Sequence, residues 1–441
     1  MLILHRQFFL LSILLLAFGA LPLSAAHCTP SNPKEPPAQP QYLVLGTPEH
    51  IPEMNATFGP VRPDAARMIA FSPEPLPVLT RSVAVLKKIV NDAFDVAERE
   101  NVPVAFHLDP LYAWGADLEK SHAEAPSVKY WNDPDMREWA EFPAGGRYPV
   151  HIPRQWFNWG AWNSPAPAVP CLGSPKFLRF IKSQVMAGIA RPMGARVRRL
   201  DREGRGYLFA GVNIGWETCI PINVGIDPSK LPTAVWPVES RSLTMRPWEA
   251  GAHLGYAALY WHGWSQTKLE AEARRRGTGT QAVFDDICWH VIHDYNAALA
   301  KLFRDQGLLR DRIDTHQVVV GSVKPGILST ITPPIWVAVN PYSTPGFTLD
   351  NKGGAVYDLA EIKRQVKAAD PAKGHFAASE SYLRDYHDAK ALTGVLTEQF
   401  GGGCLIKWVY SAYPTGGTFG LDPKPEHETL AIIQWLKGTS K

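Results

Sequence analysis

Short apolar runs bounded by glycine, proline or polar residues alternate along this chain with longer stretches whose apolar positions recur every third or fourth residue. The first pattern predicts buried strands and the second amphipathic helices. Strand candidates fall at residues 42–45, 102–109, 137–142, 206–217, 312–320, 335–340, 375–379 and 403–409. Helix candidates fall at 83–99, 177–200, 248–264, 281–305, 359–368, 388–400 and 430–436. Pro192 is expected to kink or split the second helix, and Asn101 to end the first. Residues 48–77 are rich in proline and read as a long irregular loop. Strands that alternate with helices predict an α/β fold with a parallel sheet. Eight such units predict a (β/α)8 TIM barrel, with long aromatic-rich loops at its C-terminal face.

The N-terminus reads differently. His5 and Arg6 precede an apolar run at 8–18, and Ser24, Ala25 and Ala26 offer small residues for cleavage. Residues 1–26 are expected to be a signal peptide, 27–41 a proline-rich linker and 42–441 a single (β/α)8 domain. His27 is a poor residue before a lipidated cysteine, so export to the periplasm or the extracellular space is expected over anchoring at Cys28. No integral membrane span is expected after cleavage.

Composition narrows the function. Loss of Arg6 takes the formal net charge from +3 to +2, which argues against a nucleic-acid partner. Of the 5 cysteines, Cys288 and Cys404 read as buried thiols, and a bridge between Cys171 and Cys219 stays open. No CxxC or HExxH occurs, so neither zinc nor any other cofactor is expected. GxSxG and GxGxxG are absent too. The chain has 15 tryptophans, more than a core of this size usually uses; indoles in a cleft would serve as platforms for sugar rings.

Two carboxylates end two of the strand candidates. Residues 206–217 read Gly-Tyr-Leu-Phe-Ala-Gly-Val-Asn-Ile-Gly-Trp-Glu, and 375–380 read His-Phe-Ala-Ala-Ser-Glu. Glu217 and Glu380 then stand at the C-terminal ends of the fourth and seventh strands, the rim where barrel chemistry is carried. Two carboxylates across a cleft can hydrolyse a glycosidic bond, one as acid and one as nucleophile or base. Asp109, Trp114, Trp162, Asn213, His316, Asn340, Tyr342 and Trp408 are candidates for substrate contacts. Glu138 and Glu141 read as surface charges that lie near enough to a strand end to stand in for either glutamate.

This arrangement resembles the clan A glycoside hydrolases, retaining (β/α)8 enzymes with an acid/base glutamate on the fourth strand and a nucleophile glutamate on the seventh. The resemblance implies that Glu217 is the acid/base and Glu380 the nucleophile, about 5 to 6 Å apart. It implies that Trp408 is the floor of the subsite holding the cleaved sugar, and that Tyr342 is the tyrosine often found near the sixth strand. The clan places asparagine directly before the acid/base; here Trp216 stands there and Asn213 is the nearest asparagine. The implied substrate is an oligosaccharide or polysaccharide. A non-catalytic carbohydrate-binding protein on the same scaffold would keep the aromatics and could dispense with the glutamate pair.

Overall fold

The first strand of the chain ends up in the interior of a parallel sheet. The computed structural model describes residues 40–111, 133–139, 141–144, 157–158, 165–166, 170–220, 254–318, 330, 332–349, 359–371, 373–381, 383, 388–409 and 426–438. The signal peptide and nearly all of the linker expected from the sequence lie outside them. The strands are β1 (Gln41–Val44), β2 (Arg67–Ala70), β3 (Leu76–Pro77), β4 (Val104–Asp109), β5 (Phe157–Asn158), β6 (Pro165–Ala166), β7 (Phe209–Asn213), β8 (Ile313–Asp314), β9 (Gln317–Val318), β10 (Gly346–Thr348), β11 (Phe376–Ser381) and β12 (Cys404–Val409). One sheet has the order β2-β1-β12-β11-β10-β9 and another β3-β4-β7-β8. All pairings within these two sheets are parallel, whereas β5 and β6 form a small antiparallel ribbon. Single parallel bridges, Phe71 to Val104 and Asp314 to Thr344, run between the two sheets. The result is an α/β fold with two parallel sheets, in keeping with a TIM-barrel-like topology.

Both faces of these strands are buried, as parallel sheets require. Leu43, Leu45, Ile69, Phe71, Val104, Phe106 and Leu108 belong to the large cluster that the helices cover. Their alternates Tyr42, Val44, Met68, Ala70 and Ala105 join Ala210, Ala377, Ile406 and Trp408 in a second, smaller cluster. The two-residue period of a strand sends alternate side chains to opposite faces, so one strand feeds both clusters.

The helices follow their expected faces. Val83–Glu100 buries Leu86, Val90, Ala93, Phe94 and Ala97; the Ser82 hydroxyl caps its start, and Asn101 closes it with φ 55°. The predicted helix around Pro192 runs on without a break, its backbone helical through both junctions, and takes up a π-turn at Met186–Ala190 between Pro175–Val185 and Arg191–Arg202. Pro192 has no N–H for the carbonyl one turn back, and the wide turn before it absorbs the mismatch. Gly188 lies in that turn, where an added Cβ would come within 2.9 Å of the Leu86 Cβ, so the two helices meet where only glycine fits.

Four expectations are corrected. Residues 48–77 are not one irregular loop: they contain the helix Ile51–Phe58 and strands β2 and β3. The described residues of 137–142 form no strand; Arg137 makes a single antiparallel bridge to Pro170. Residues 335–340 start with the 3-10 helix Ile335–Ala338, which follows Pro334 at its N-cap; the strand comes later, at β10. Cys171 and Cys219 are not bridged, for both are free and buried, as are Cys288 and Cys404. No helix among the described residues is long and apolar enough to cross a membrane.

Glu138, read as a surface charge, is only 2 % exposed. Its Oε2 accepts from the Ala258 N–H at 3.4 Å. Burial raises its pKa from 4.5 to about 7, against opposing hydrogen bonds from Cys171 and backbone N–H groups. The folded state therefore holds a proton that the unfolded chain releases, and stability falls as pH rises from about 4.5 to 7. Glu138→Gln keeps the neutral shape and removes that loss. Urea unfolding at pH 8 is expected to show the variant more stable by about 3 kcal/mol, with the advantage gone at pH 4.

Candidate functional site

Glu217 sits on a turn that three strands build together. Asn213, the last residue of β7, is in register with His107 of β4 and Asp314 of β8. Its Oδ1 accepts from the Gly215 N–H at 3.1 Å. The His107 Nε2–H donates to the Gly215 carbonyl at 2.8 Å. From the other side, the Ile214 N–H donates to the Asp314 carbonyl and the Thr218 N–H to the His316 carbonyl, both at 2.9 Å. Thus curled, the chain leaves Glu217 at φ 45°; among the described non-glycine residues only Asn101 shares a positive φ. A left-handed conformation at a side chain without a local cap costs about 1–2 kcal/mol. Such strain persists where surrounding contacts enforce it, and it clusters at functional sites.

Glu380 comes from the other sheet. It lies near the end of β11, in register with Thr348 at the end of β10. The Thr348 hydroxyl donates to Glu217 Oε1 at 3.3 Å and lies 2.9 Å from His316 Nε2. That same nitrogen is 3.5 Å from Glu380 Oε2. One side-chain atom from each of Glu217, His316 and Glu380 falls within 4.8 Å of the others. Two carboxylates and an imidazole at this spacing also form a donor set that a divalent cation could share.

Both histidines of the site are neutral. Burial lowers the pKa of His107 to about 3 and holds that of His316 well below the usual range, where His107 adds to the effect. The His107 ring stacks on Trp216, with centroids 4.7 Å apart and planes at 24°, and lies 5.6 Å from both His316 and Trp408. Asp314 is buried beside them, and desolvation pushes its pKa well up against the opposing hydrogen bond from Ser379. The Ser379 oxygen is 2.9 Å from Asp314 Oδ2 and 2.7 Å from the Thr315 carbonyl.

Of the candidates read from the sequence, Glu217, Glu380, His316 and Asn213 come together here. Asp109 ends β4 on the same side, and its Oδ1 accepts from the Leu111 N–H at 3.1 Å in a local turn. Trp408 is present but only 3 % exposed, packed in the smaller apolar cluster rather than standing open as a platform. Asn340 and Tyr342 precede β10, at the opposite end of the strand from Thr348. Asn340 closes its own turn, accepting from the N–H groups of Tyr342 and Ser343 at 2.9 and 3.0 Å. Tyr342 lies against Lys301, whose Nζ is 5.9 Å from the ring. Trp114 and Trp162 lie outside the described residues. Sequence reasoning missed His107, Asp314, Thr348 and Ser379. The available signal was a polar residue inside an otherwise apolar strand, as in Val-Ala-Phe-His-Leu.

No family model matches the chain, and no curated protein matches it. Solved structures do. The catalytic domain of beta-amylase from Paenibacillus polymyxa is 9% identical with a TM-score of 0.51, over 91% of this chain and 99% of that one. The PgaB (BpsB) glycoside hydrolase domain from Bordetella bronchiseptica is 13% identical with a TM-score of 0.39, over 90% and 99%. A GH5-4 broad specificity endoglucanase from an uncultured bacterium is 9% identical with a TM-score of 0.41, over 89% and 85%. The first likeness is one of fold, and the other two are too loose in shape to add to it. They are different enzymes and do not single out the clan A glycoside hydrolases.

The burial of Trp408 gives a direct expectation. A large ring removed from a packed interior leaves a cavity, so Trp408→Ala is expected to lose about 3–5 kcal/mol of stability in urea unfolding. An exposed sugar platform would instead lose substrate binding at nearly unchanged stability.

Proposed function

We propose that the chain is a retaining glycoside hydrolase that cleaves β-glycosidic bonds of an oligosaccharide or polysaccharide, with Glu217 as acid/base and Glu380 as nucleophile. The observation that carries this reading is the approach of the two carboxyl groups, whose oxygens come within 4.8 Å. Retaining enzymes hold their carboxyls about 5–5.5 Å apart, and inverting ones about 6.5–9.5 Å. The reading is further supported by a (β/α)8 interpretation of the two sheets: the bridges at Phe71–Val104 and Asp314–Thr344 connect them, Glu217 follows the C-terminal end of β7, and Glu380 lies near that of β11. In the first step a Glu380 oxygen bonds to the anomeric carbon as the bond to the leaving oxygen breaks, and Glu217 gives that oxygen its proton. In the second step water attacks the anomeric carbon, gives its proton to Glu217 and releases Glu380.

Nitrophenyl β-glycosides and plant or bacterial glycans provide the assay. Glu380→Gln and Glu217→Gln are each expected to lower kcat by about a thousandfold or more on unactivated substrates. A fluoroglycoside should label Glu380, and NMR should find the first-formed product with the anomeric configuration of the substrate. An inverted product would overturn the retaining mechanism. Saccharide binding without turnover in the wild type would leave a carbohydrate-binding protein instead.

The spacing of Glu217, His316 and Glu380 also favours a second reading, hydrolysis assisted by a divalent ion held by these three groups. Dialysis against a chelator separates the two. The two-glutamate mechanism predicts unchanged rates, whereas loss of activity restored by zinc or manganese would establish the metal reading.

A further inference from the structure

We propose that Thr348 is the positioning residue for the acid/base carboxyl, its hydroxyl oriented by His316 and directed onto Glu217. This rests on the reading of Glu217 as acid/base. A threonine hydroxyl has one proton and two lone pairs. Here the proton goes to Glu217 Oε1 at 3.3 Å, so the oxygen is left to accept from His316 Nε2 at 2.9 Å. That nitrogen must then carry hydrogen. Glu380 Oε2, 3.5 Å from the same nitrogen, requires the same tautomer, because a bare lone pair would face a carboxylate oxygen. The order of donation is therefore fixed, from His316 to Thr348 and from Thr348 to Glu217.

Thr348 is itself held still. It is 6 % exposed, and its β-branch restricts χ1. Two residues earlier, a Cβ on Gly346 would meet the Thr315 carbonyl oxygen at 1.9 Å and Ser379 Oγ at 2.1 Å, so β10 is seated tightly between its neighbours. The Gly346 N–H donates to Thr315 Oγ1 at 3.0 Å, and the Leu349 N–H to the Glu380 carbonyl at 2.7 Å. Thr348 thus ties the carboxyl of one sheet to the strand beside the carboxyl of the other. Glu217 has a flexible side chain on a strained backbone, and an acid must lie in line with the leaving oxygen to protonate it.

Loss of this orientation should matter only where protonation matters. Thr348→Val keeps the shape and removes the hydroxyl. With methoxyphenyl β-glycosides, whose leaving group needs a proton, kcat/KM, which reports the first step alone, is expected to fall about tenfold or more. With dinitrophenyl β-glycosides of the same sugar, whose leaving group departs unaided, it should fall less than about threefold. Thr348→Ser should restore the methoxyphenyl rate. If Thr348→Val does not fold by circular dichroism, Thr348→Ala takes its place. Equal losses on both leaving groups, or no rescue by serine, would overturn the proposal while leaving the hydrolase intact. A Glu217→Gln variant as active as wild type on methoxyphenyl glycosides would overturn both.

Discussion

The turn carrying Glu217 is held in a conformation it would not adopt alone. At φ 45° the residue pays a steric cost, and no glycine is there to avoid it. What opposes relaxation is a set of hydrogen bonds from both flanking strands. Asn213 and His107 clamp Gly215, while the carbonyls of Asp314 and His316 take the N–H groups of Ile214 and Thr218. The carboxylate is therefore placed by the register of β4, β7 and β8 rather than by its own loop. Its partner is placed by the register of β10 and β11. Each sheet contributes one carboxyl, so the site depends on how the sheets meet.

That dependence explains what the sequence could disclose. Glu217 and Glu380 were legible because each follows an apolar run long enough to read as a strand. Their ranks, fourth and seventh, rest on a strand count that differs from the structure, where Glu217 follows β7 and Glu380 lies in β11. Before β7, Arg67–Ala70 and Leu76–Pro77 are hidden amid prolines, while the described residues of 137–142 hold a single bridge and no strand. Further on, 335–340 stood in for β10, whose three residues, Gly-Phe-Thr, are too few to show a period. The supporting residues were not legible for a different reason. Thr348, Ser379 and Asp314 are ordinary residues until a neighbouring strand brings them within hydrogen-bonding distance. Asn340 and Tyr342 failed in the opposite way, since a residue before a strand and one after it look alike until the strand is located.

Desolvation governs the electrostatics of the site. His107 and His316 are both buried, and a positive charge on either would lie beside the other ring with little water to screen it. Neutral rings can act as directed donors without changing charge near neutral pH. His107 gives its proton to a carbonyl and so braces the turn. His316 faces two oxygens and so orders the contacts between the glutamates.

Beneath the site, the smaller apolar cluster solves a problem of volume. Its strand residues Ala70, Ala105, Ala210 and Ala377 are small, which leaves space for the rings of Tyr42 and Trp408. The two rings come from paired strands, with Val44 opposite Trp408 and Tyr42 opposite Ile406. Tyr42 occupies the N-terminal end, where its hydroxyl donates to the Tyr207 carbonyl at 3.0 Å and the Arg312 guanidinium lies 4.5 Å from the ring centroid. Trp408 occupies the other end, 5.6 Å from His107, which has Trp216 stacked 4.7 Å away. A closely packed interior transmits strain rather than absorbing it. Trp408 packs beside His107, the ring whose proton braces Gly215 in the turn that carries Glu217.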